Sequence, residues 1–377
     1  MKSTVSTRRV LERAALSGMF FANGFSFGIW AGNLPRLQES LHLTDAALGL
    51  ALFAISAGAV AAMPLCGLLA ARFGPARLAA AAGLTLAVAL CLPNLLPAGP
   101  LLLAAGAALG IAIGTMDVAM NGHAVVVEAG WGAPIMSSFH AGWSLGGLGG
   151  AAAASALAAT GVDLFWSYAI PAAPVAVISL LGFGLRDLPQ AGAGGRLALP
   201  GRTMLGVAAV AALCFLAEGA MADWSGVYLR TVLRTDVAWA ATAYGCYAMA
   251  MAAGRLTGDV LVRRLGAGRV VRLGGCVAML GLALVLLAHG AITADAGMVT
   301  IGLGLSNIVP VAFSAAGRLQ GTVGIAMVAS TGYAGFMLGP PVIGATADAV
   351  GLRLALLLVL AALLGMTALG RSVSKGT

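Results

Sequence analysis

The feature that most limits how this chain can fold is a succession of apolar runs, each about as long as a bilayer crossing. They cover residues 16–38, 46–70, 78–97, 100–127, 135–160, 164–184, 203–229, 237–261, 270–290, 293–316, 322–346 and 349–370. A helix that spans the hydrocarbon needs about 20 predominantly apolar residues. The pattern therefore predicts an all-α membrane protein with twelve transmembrane helices. Charge content agrees: charged residues make up 9% of the 377, against roughly a quarter in a soluble domain. A chain so poor in charge cannot cover its own surface in water. No stretch between the runs is long enough for a soluble domain. The first residues carry Lys2, Arg8, Arg9 and Arg13, and the run that follows is of full spanning length with no small-residue cleavage site. A cleaved signal peptide is not expected.

The net charge of +8 does not point to nucleic acid, because the basic residues lie between apolar runs rather than in one stripe. The five cysteines, Cys66, Cys91, Cys214, Cys246 and Cys276, all fall inside the runs. They read as small buried hydrophobes rather than disulfides or metal ligands. The longest polar interruption, Arg186 to Arg202, separates two sets of six runs. It suggests an N-terminal half 1–185, a cytoplasmic linker 186–202 and a C-terminal half 203–377. With the N-terminus in the cytoplasm, 17 Lys and Arg lie on or near that side. Among them are Arg255 and the pair Arg263 and Arg264; only Arg36, Arg230, Arg234 and Arg353 lie opposite. The excess of basic residues on the cytoplasmic side sets orientation.

The halves repeat each other. Arg72, Gly74 and Arg77 after the second run match Arg264, Gly266 and Arg269 after the eighth at a constant offset of 192. Gly142-Trp143-Ser144-Leu145-Gly146 in the fifth run matches Gly335-Phe336-Met337-Leu338-Gly339 in the eleventh at an offset of 193. Two parallel six-helix repeats with a site between them describe one large class of secondary transporter. Over its whole length the sequence resembles the major facilitator superfamily. Gly67, Arg72 and Gly74 fit that family's Gly-x-x-x-Asp-Arg-x-Gly signature, although Ala71 stands where the acid belongs. Gly254, Asp259, Arg263, Arg264, Gly266 and Arg269 give a looser second copy that keeps an acid. The resemblance implies that Arg72, Asp259, Arg263 and Arg264 take part in gating, with Asp259 fixing the cytoplasmic closure.

Four strings resemble a narrower group, the short bacterial YbjJ-like and MosC-like transporters. They are Gly114 to Asn121, Ser138 to Trp143, Glu218 to Ser225, and Gly332 to Gly335 running on to Gly339-Pro340-Pro341. The acid-x-x-x-Asn spacing of Asp117 and Asn121 is also similar to the fucose-proton symporters. In that family a fourth-span carboxylate takes part in proton coupling. The MosC resemblance implies an inositol-amine type of solute.

An ionisable side chain in hydrocarbon costs about 2.5 kcal/mol or more, so deep charges mark candidates. Asp117 lies about 17 residues into the fourth run, with Gly114 at i−3 and Asn121 at i+4 on the same face. Glu218 is about 15 residues into the seventh run, and Asp223 is five positions on, turned away around the helix. His140, Trp143, Ser144 and Gly147 share a face of the fifth run. Asp117, Glu218 and His140 are the candidates for proton coupling. Asn23, Trp30, Asn121, Trp143, Asp223, Asn307 and Tyr333 are candidates for substrate binding, since amides and rings suit a solute with hydroxyls and flat C–H faces. His123 and Glu128, near the end of the fourth run, read as solvated. Glycines every four residues, at 106, 110 and 114 and at 142, 146 and 150, let helices approach closely. Gly339-Pro340-Pro341 is expected to bend the eleventh run.

The sequence holds no Gly-x-x-x-x-Gly-Lys-Ser/Thr motif, metal-ligand cluster or nucleophile triad. An enzyme and a cofactor are not expected. The leading reading is a proton-coupled transporter of a small polar organic solute, acting as a monomer in the bacterial inner membrane. The competing readings are a proton-antiport exporter of drugs or metabolites, and a channel or receptor. The charge bias makes one prediction. Reporter fusions at Gly201 and at the C-terminus should be active only with a cytoplasmic reporter; a periplasmic signal at either point reverses the orientation.

Overall fold

The computed structural model describes residues 2–43, 45–95, 100–185, 201–235, 239 and 242–374. Helix dominates, and there is no strand among the described residues. The helices are α1 (Lys2–Ser40), α2 (Asp45–Phe73), α3 (Pro75–Ala89), α4 (Leu92–Leu95), α5 (Pro100–Trp131), α6 (Met136–Ala159) and α7 (Leu164–Gly182). They continue with α8 (Arg202–Thr231), α9 (Thr242–Leu265), α10 (Ala267–Leu287), α11 (Ala291–Leu305), α12 (Ile308–Val350), α13 (Leu352–Ala355) and α14 (Leu357–Leu369). Each of the twelve apolar runs falls mainly on helix. Eight described stretches are by length and hydropathy alone able to cross a membrane. The long helices α1, α6 and α9 are more polar, and all three carry candidate residues.

At 43 residues, α12 is too long for one crossing. Its backbone leaves helical geometry at Gln320 (φ −142°, ψ 21°) and Gly321 (φ 57°, ψ −147°). Span ten is therefore α11 plus the start of α12, and span eleven is the remainder. Span ten is itself interrupted: α11 ends at Leu305 and Asn307 precedes α12 at φ −108°, ψ 1°. Helix runs on through Gly339-Pro340-Pro341, where a bend is expected, and the non-helical dihedrals of α12 lie at Gln320 and Gly321.

The chain forms two compact units. Unit 1 is Met1–Ile135, Phe139–Leu197 and Gln320–Met327; unit 2 is Met136–Ser138, Ala198–Leu319 and Val328–Thr377. Most of the expected linker, residues 186–200, lies outside the described residues. Within unit 1, α5 packs on α2 and α3, α7 packs on α1 and α3, and α1 touches α5. Within unit 2, α11 packs on α9 and α10, α14 packs on α8 and α10, and α8 touches α11. Numbered by span, the two schemes are the same. The loops repeat as well. All the described glycines of positive φ fall into pairs, Gly74 with Gly266, Gly132 with Gly321 and Gly161 with Gly351. Each pair sits in the turn between successive helical segments, where a side chain would strain the left-handed backbone. The sequence match of Gly74 with Gly266 is thus a shared turn, at φ 90° and 80°.

The glycine rows do the packing expected of them. A Cβ on Gly146 would strike the Phe21 carbonyl, and one on Gly150 the Phe25 carbonyl. From the other side, Gly24 and Gly28 of α1 leave no room before the Trp143 and Gly147 carbonyls. Gly110 abuts the Ile55 carbonyl of α2, and Gly335 the Ala212 carbonyl of α8. Backbone meets backbone here, and no side-chain movement can relieve a larger residue. Gly146→Val and Gly150→Val should therefore each lower unfolding stability by about 1–3 kcal/mol or more. Gly290→Ala, where a Cβ meets nothing within 4 Å, should stay within about 0.5 kcal/mol. Thermal unfolding in detergent, followed by monomer recovery on gel filtration, checks both.

Candidate functional site

Unit 1 brings the fourth-span acid into a chain of buried polar groups. Asp117 is 9% exposed, Asn121 0%, His140 7% and Asn23 1%. One turn separates Asp117 from Asn121 on α5. The Asn121 Nδ2 donates both to the Asp117 carbonyl, at 2.9 Å, and to the Asp117 carboxylate, at 3.2 Å. With its amine side turned to Asp117, the amide presents Oδ1 to His140 of α6, whose Nε2 lies 3.1 Å away. A nitrogen facing that oxygen carries the hydrogen, so the contact selects the Nε2–H form of the ring. Phe20 of α1 closes the ring's other side, edge to face, at a centroid distance of 5.4 Å.

A second link follows one turn along α6. The Trp143 indole N–H donates to Asn23 Oδ1 at 2.9 Å, and Asn23 Nδ2 donates to the Ile113 carbonyl at 3.4 Å. The Phe27 ring lies 5.8 Å from that of Trp143. Three helices thus supply an acid, two amides, an imidazole and three aromatic rings. The glycine contacts between α1 and α6 are what bring these side chains within reach. Trp30, two turns along α1 from Asn23, packs on Tyr168 with centroids 6.2 Å apart.

Unit 2 holds the remaining candidates. Glu218 of α8 is half-buried and accepts from the Cys214 thiol at 3.6 Å. Its electrostatic neighbours include Arg255, Tyr244 and Tyr247 of α9. Asp223, further along α8, is exposed. Asn307 is 4% exposed and donates from Nδ2 to the Gly254 carbonyl at 3.0 Å and to Ser306 Oγ at 2.9 Å. Tyr333 is half-buried, its ring 5.7 Å from Phe215.

Among the gating candidates, Asp259 is half-buried, and both its carboxylate oxygens lie 3.3 Å from the Ser138 backbone N–H. Ser138 is in the first turn of α6, where N–H groups have no helical partner and a negative charge is favoured. Arg263 and Arg264 are exposed in the last turn of α9, and Arg72 is exposed over the Phe73 ring at 5.2 Å.

Arg255, counted on or near the cytoplasmic side, is 5% exposed and lies ten residues before the end of α9. Two sequence expectations are corrected. His123 and Glu128 are not solvated, being 1% and 8% exposed. Helix α5 continues to Trp131, so both lie inside it, and Glu128 Oε2 accepts from the Ile135 N–H at 2.9 Å. The sequence carried a hint of this, since the turn from Gly132 to Pro134 is short enough to fold back on Glu128.

Comparison with known proteins agrees with the architecture. The family model described as Major Facilitator Superfamily matches residues 16–327. An uncharacterised MFS-type transporter of Yersinia pestis is 34% identical over 363 residues, covering 94% of each chain. Membrane protein MosC of Rhizobium meliloti is 31% identical over 358 residues, covering 93% of this chain and 87% of MosC. The crystal structure of the E. coli fucose:proton symporter FucP superposes with a TM-score of 0.76 at 17% identity, covering 97% of this chain and 99% of that one. That likeness speaks for the fold alone. Family model, relatives and architecture coincide, and the chain belongs to the major facilitator superfamily.

Proposed function

We propose that this superfamily transporter moves a small polar organic solute, a sugar, polyol or inositol-like compound, across the bacterial inner membrane by alternating access. A proton bound at Asp117 is the coupling ion. The halves 1–185 and 203–377 act as the two moving parts, joined by a cytoplasmic linker at 186–202. The observation that carries this reading is the buried chain Asp117, Asn121, His140, which joins the interior of α5 to the start of α6. A carboxylate kept inside a span at such expense, and held by a neutral amide rather than a fixed cation, is suited to gain and lose a proton. Asn121 keeps it oriented in both states, because an amide donor serves a carboxylate or the carbonyl oxygen of a carboxyl group. His140, on the other side of that amide, can hold a further proton. Asn23 and the rings of Trp143 and Phe27 offer a solute hydroxyl partners and an apolar face.

The fold shared with the fucose:proton symporter supports a solute of this class. Asp259 would close the cytoplasmic side by holding the first turn of α6. These roles give two predictions. In proteoliposomes screened over sugars, polyols and amine-bearing inositols with an imposed pH gradient, Asp117→Asn should abolish accumulation against a gradient. It should keep solute exchange within about threefold, since the amide still hydrogen-bonds at nearly constant volume. Wild-type accumulation by Asp117→Asn would make Asp117 structural. Asp259→Asn should raise labelling of cysteines placed on the cytoplasmic side, because a charged acceptor at a helix N-terminus is worth about 0.3–1 kcal/mol or more and its loss shifts the population. Unchanged labelling would remove Asp259 from the gate.

A further inference from the structure

At one end of unit 2, arginines gather around a short turn. Helix α14 packs on both α8 and α10, and just past it the chain makes a 3-10 turn, Ser372–Ser374, that touches the same two helices. The approach is close. A Cβ on Gly206 of α8 would meet the Ser372 hydroxyl, one on Gly268 of α10 the Gly370 carbonyl, and one on Gly370 the Arg272 side chain. The first turns of α8 and α10 are thereby drawn to the end of α14. Arg202 lies one turn before Gly206, Arg269 follows Gly268, and Arg371 follows Gly370. Arg202, Arg269 and Arg371 are exposed and Arg272 is half-buried. Four arginines from three helix ends therefore stand around one turn.

Among the described residues, none of the four is paired with an acid. The hydrogen bond they make runs from Arg272 Nε to the Gly268 carbonyl, at 3.2 Å, inside its own helix. Asp259, the acid towards this end of α9, is already engaged with the Ser138 N–H. Two of the arginines also stand where the helix disfavours them, since a first turn attracts negative charge. Arg202 is in the first turn of α8 and Arg269 in that of α10, and neither turn holds an acid or a side-chain cap. The corresponding end of unit 1 is different: Glu12 stands among its basic residues, and Arg13 lies over the Trp131 ring at 4.9 Å. Cations gathered without an acid repel one another until an anion comes between them. The residues next along the helices say which anion. Leu205 follows Arg202 by three and Leu273 follows Arg269 by four, so each leucine lies on its arginine's face one turn further into the span. Both are bare, at 50% and 52% exposed. A ring of charge over exposed apolar side chains suits a phosphate that carries acyl chains, and a soluble anion leaves the leucines unmatched.

We propose that the surface around the Ser372–Ser374 turn binds an acidic phospholipid, with its phosphate among Arg202, Arg269, Arg272 and Arg371 and its acyl chains along Leu205 and Leu273. Guanidinium groups match phosphate oxygens in pairs, and each basic residue at the membrane surface adds to the attraction for acidic lipid. The bound phosphate ties the end of α14 to the starts of α8 and α10. This stands independently of solute, coupling ion or transport direction.

Native mass spectrometry of the full-length, delipidated protein in detergent tests it, with phosphatidylglycerol and phosphatidylcholine titrated in parallel. The wild type should hold phosphatidylglycerol about tenfold or more tightly than phosphatidylcholine; equal affinities overturn the proposal. Arg269→Gln with Arg371→Gln should weaken phosphatidylglycerol about tenfold or more and leave phosphatidylcholine unchanged. Arg263→Gln with Arg264→Gln removes as much charge from the end of α9 and should change the affinity by less than about threefold. An equal loss in the two pairs overturns the site. Full displacement of phosphatidylglycerol by an equal concentration of inorganic phosphate also overturns it, by making the arginines a soluble-anion site. If the first pair does not fold, Arg371→Gln alone must weaken phosphatidylglycerol by about threefold or more, and an unchanged affinity overturns the proposal.

Discussion

In hydrocarbon no water is at hand, so every polar group must find its partner inside the protein. Most of the hydroxyls in these helices meet that demand on their own helix. Ser26 donates to the Ala22 carbonyl, Ser179 to Val175, Thr85 to Ala81 and Thr300 to Ala296. Each is a bond four residues back, which costs little and specifies little. Against that background the contacts between helices stand out. Asn121 with His140, Trp143 with Asn23, Asn307 with Gly254 and Arg255 with Ser306 all join separate helices through buried polar atoms. Near the end of α1, Ser167 of α7 donates to Asn33 and Arg36 donates to the Val162 carbonyl. Those two bonds tie helix ends together and hold no acid. The acids with buried polar partners are the exceptions that invite a functional account.

The second consequence of an apolar solvent is that apolar burial does not drive helices together, so contact must come from close packing. Glycine rows supply it. The approach of α6 to α1 is set by carbonyls lying where a Cβ would be, at Gly24, Gly28, Gly146 and Gly150. That approach also places His140 and Trp143 against Asn121 and Asn23. Packing and site are therefore one construction, and a larger residue in the row would displace the hydrogen bonds a turn away.

The two units share a packing scheme and differ in their polar content. Unit 1 holds a carboxylate against neutral partners, an amide and beyond it an imidazole. Unit 2 holds a carboxylate near a guanidinium and an interrupted span. A duplicated scaffold thus carries two unlike polar centres, one an acid linked through an amide to an imidazole and one with a buried guanidinium bonded to the carbonyl of an interrupted span.

What the sequence determined by itself is what depends on near neighbours along the chain. Hydropathy located the spans, because length and apolarity are local properties. A constant offset exposed the duplication, and i+4 spacing put Asn121 beside Asp117. Four-residue glycine periods marked the close-packed faces, since a helix repeats on that scale. What only the tertiary structure decided is what depends on which helix lies opposite. Arg255 read as one of the basic residues on or near the cytoplasmic side, and only its burial and its bond to the Ser306 carbonyl show it packed against a neighbouring span. His123 and Glu128 looked solvated because distance to a helix end does not tell which face is covered. His140 joined Asp117 through Asn121 only because α6 and α5 meet there, a contact between residues 19 apart in sequence. The interruption at Ser306 and Asn307 is likewise a tertiary outcome, since the bonds that hold it come from α9, more than fifty residues away in sequence.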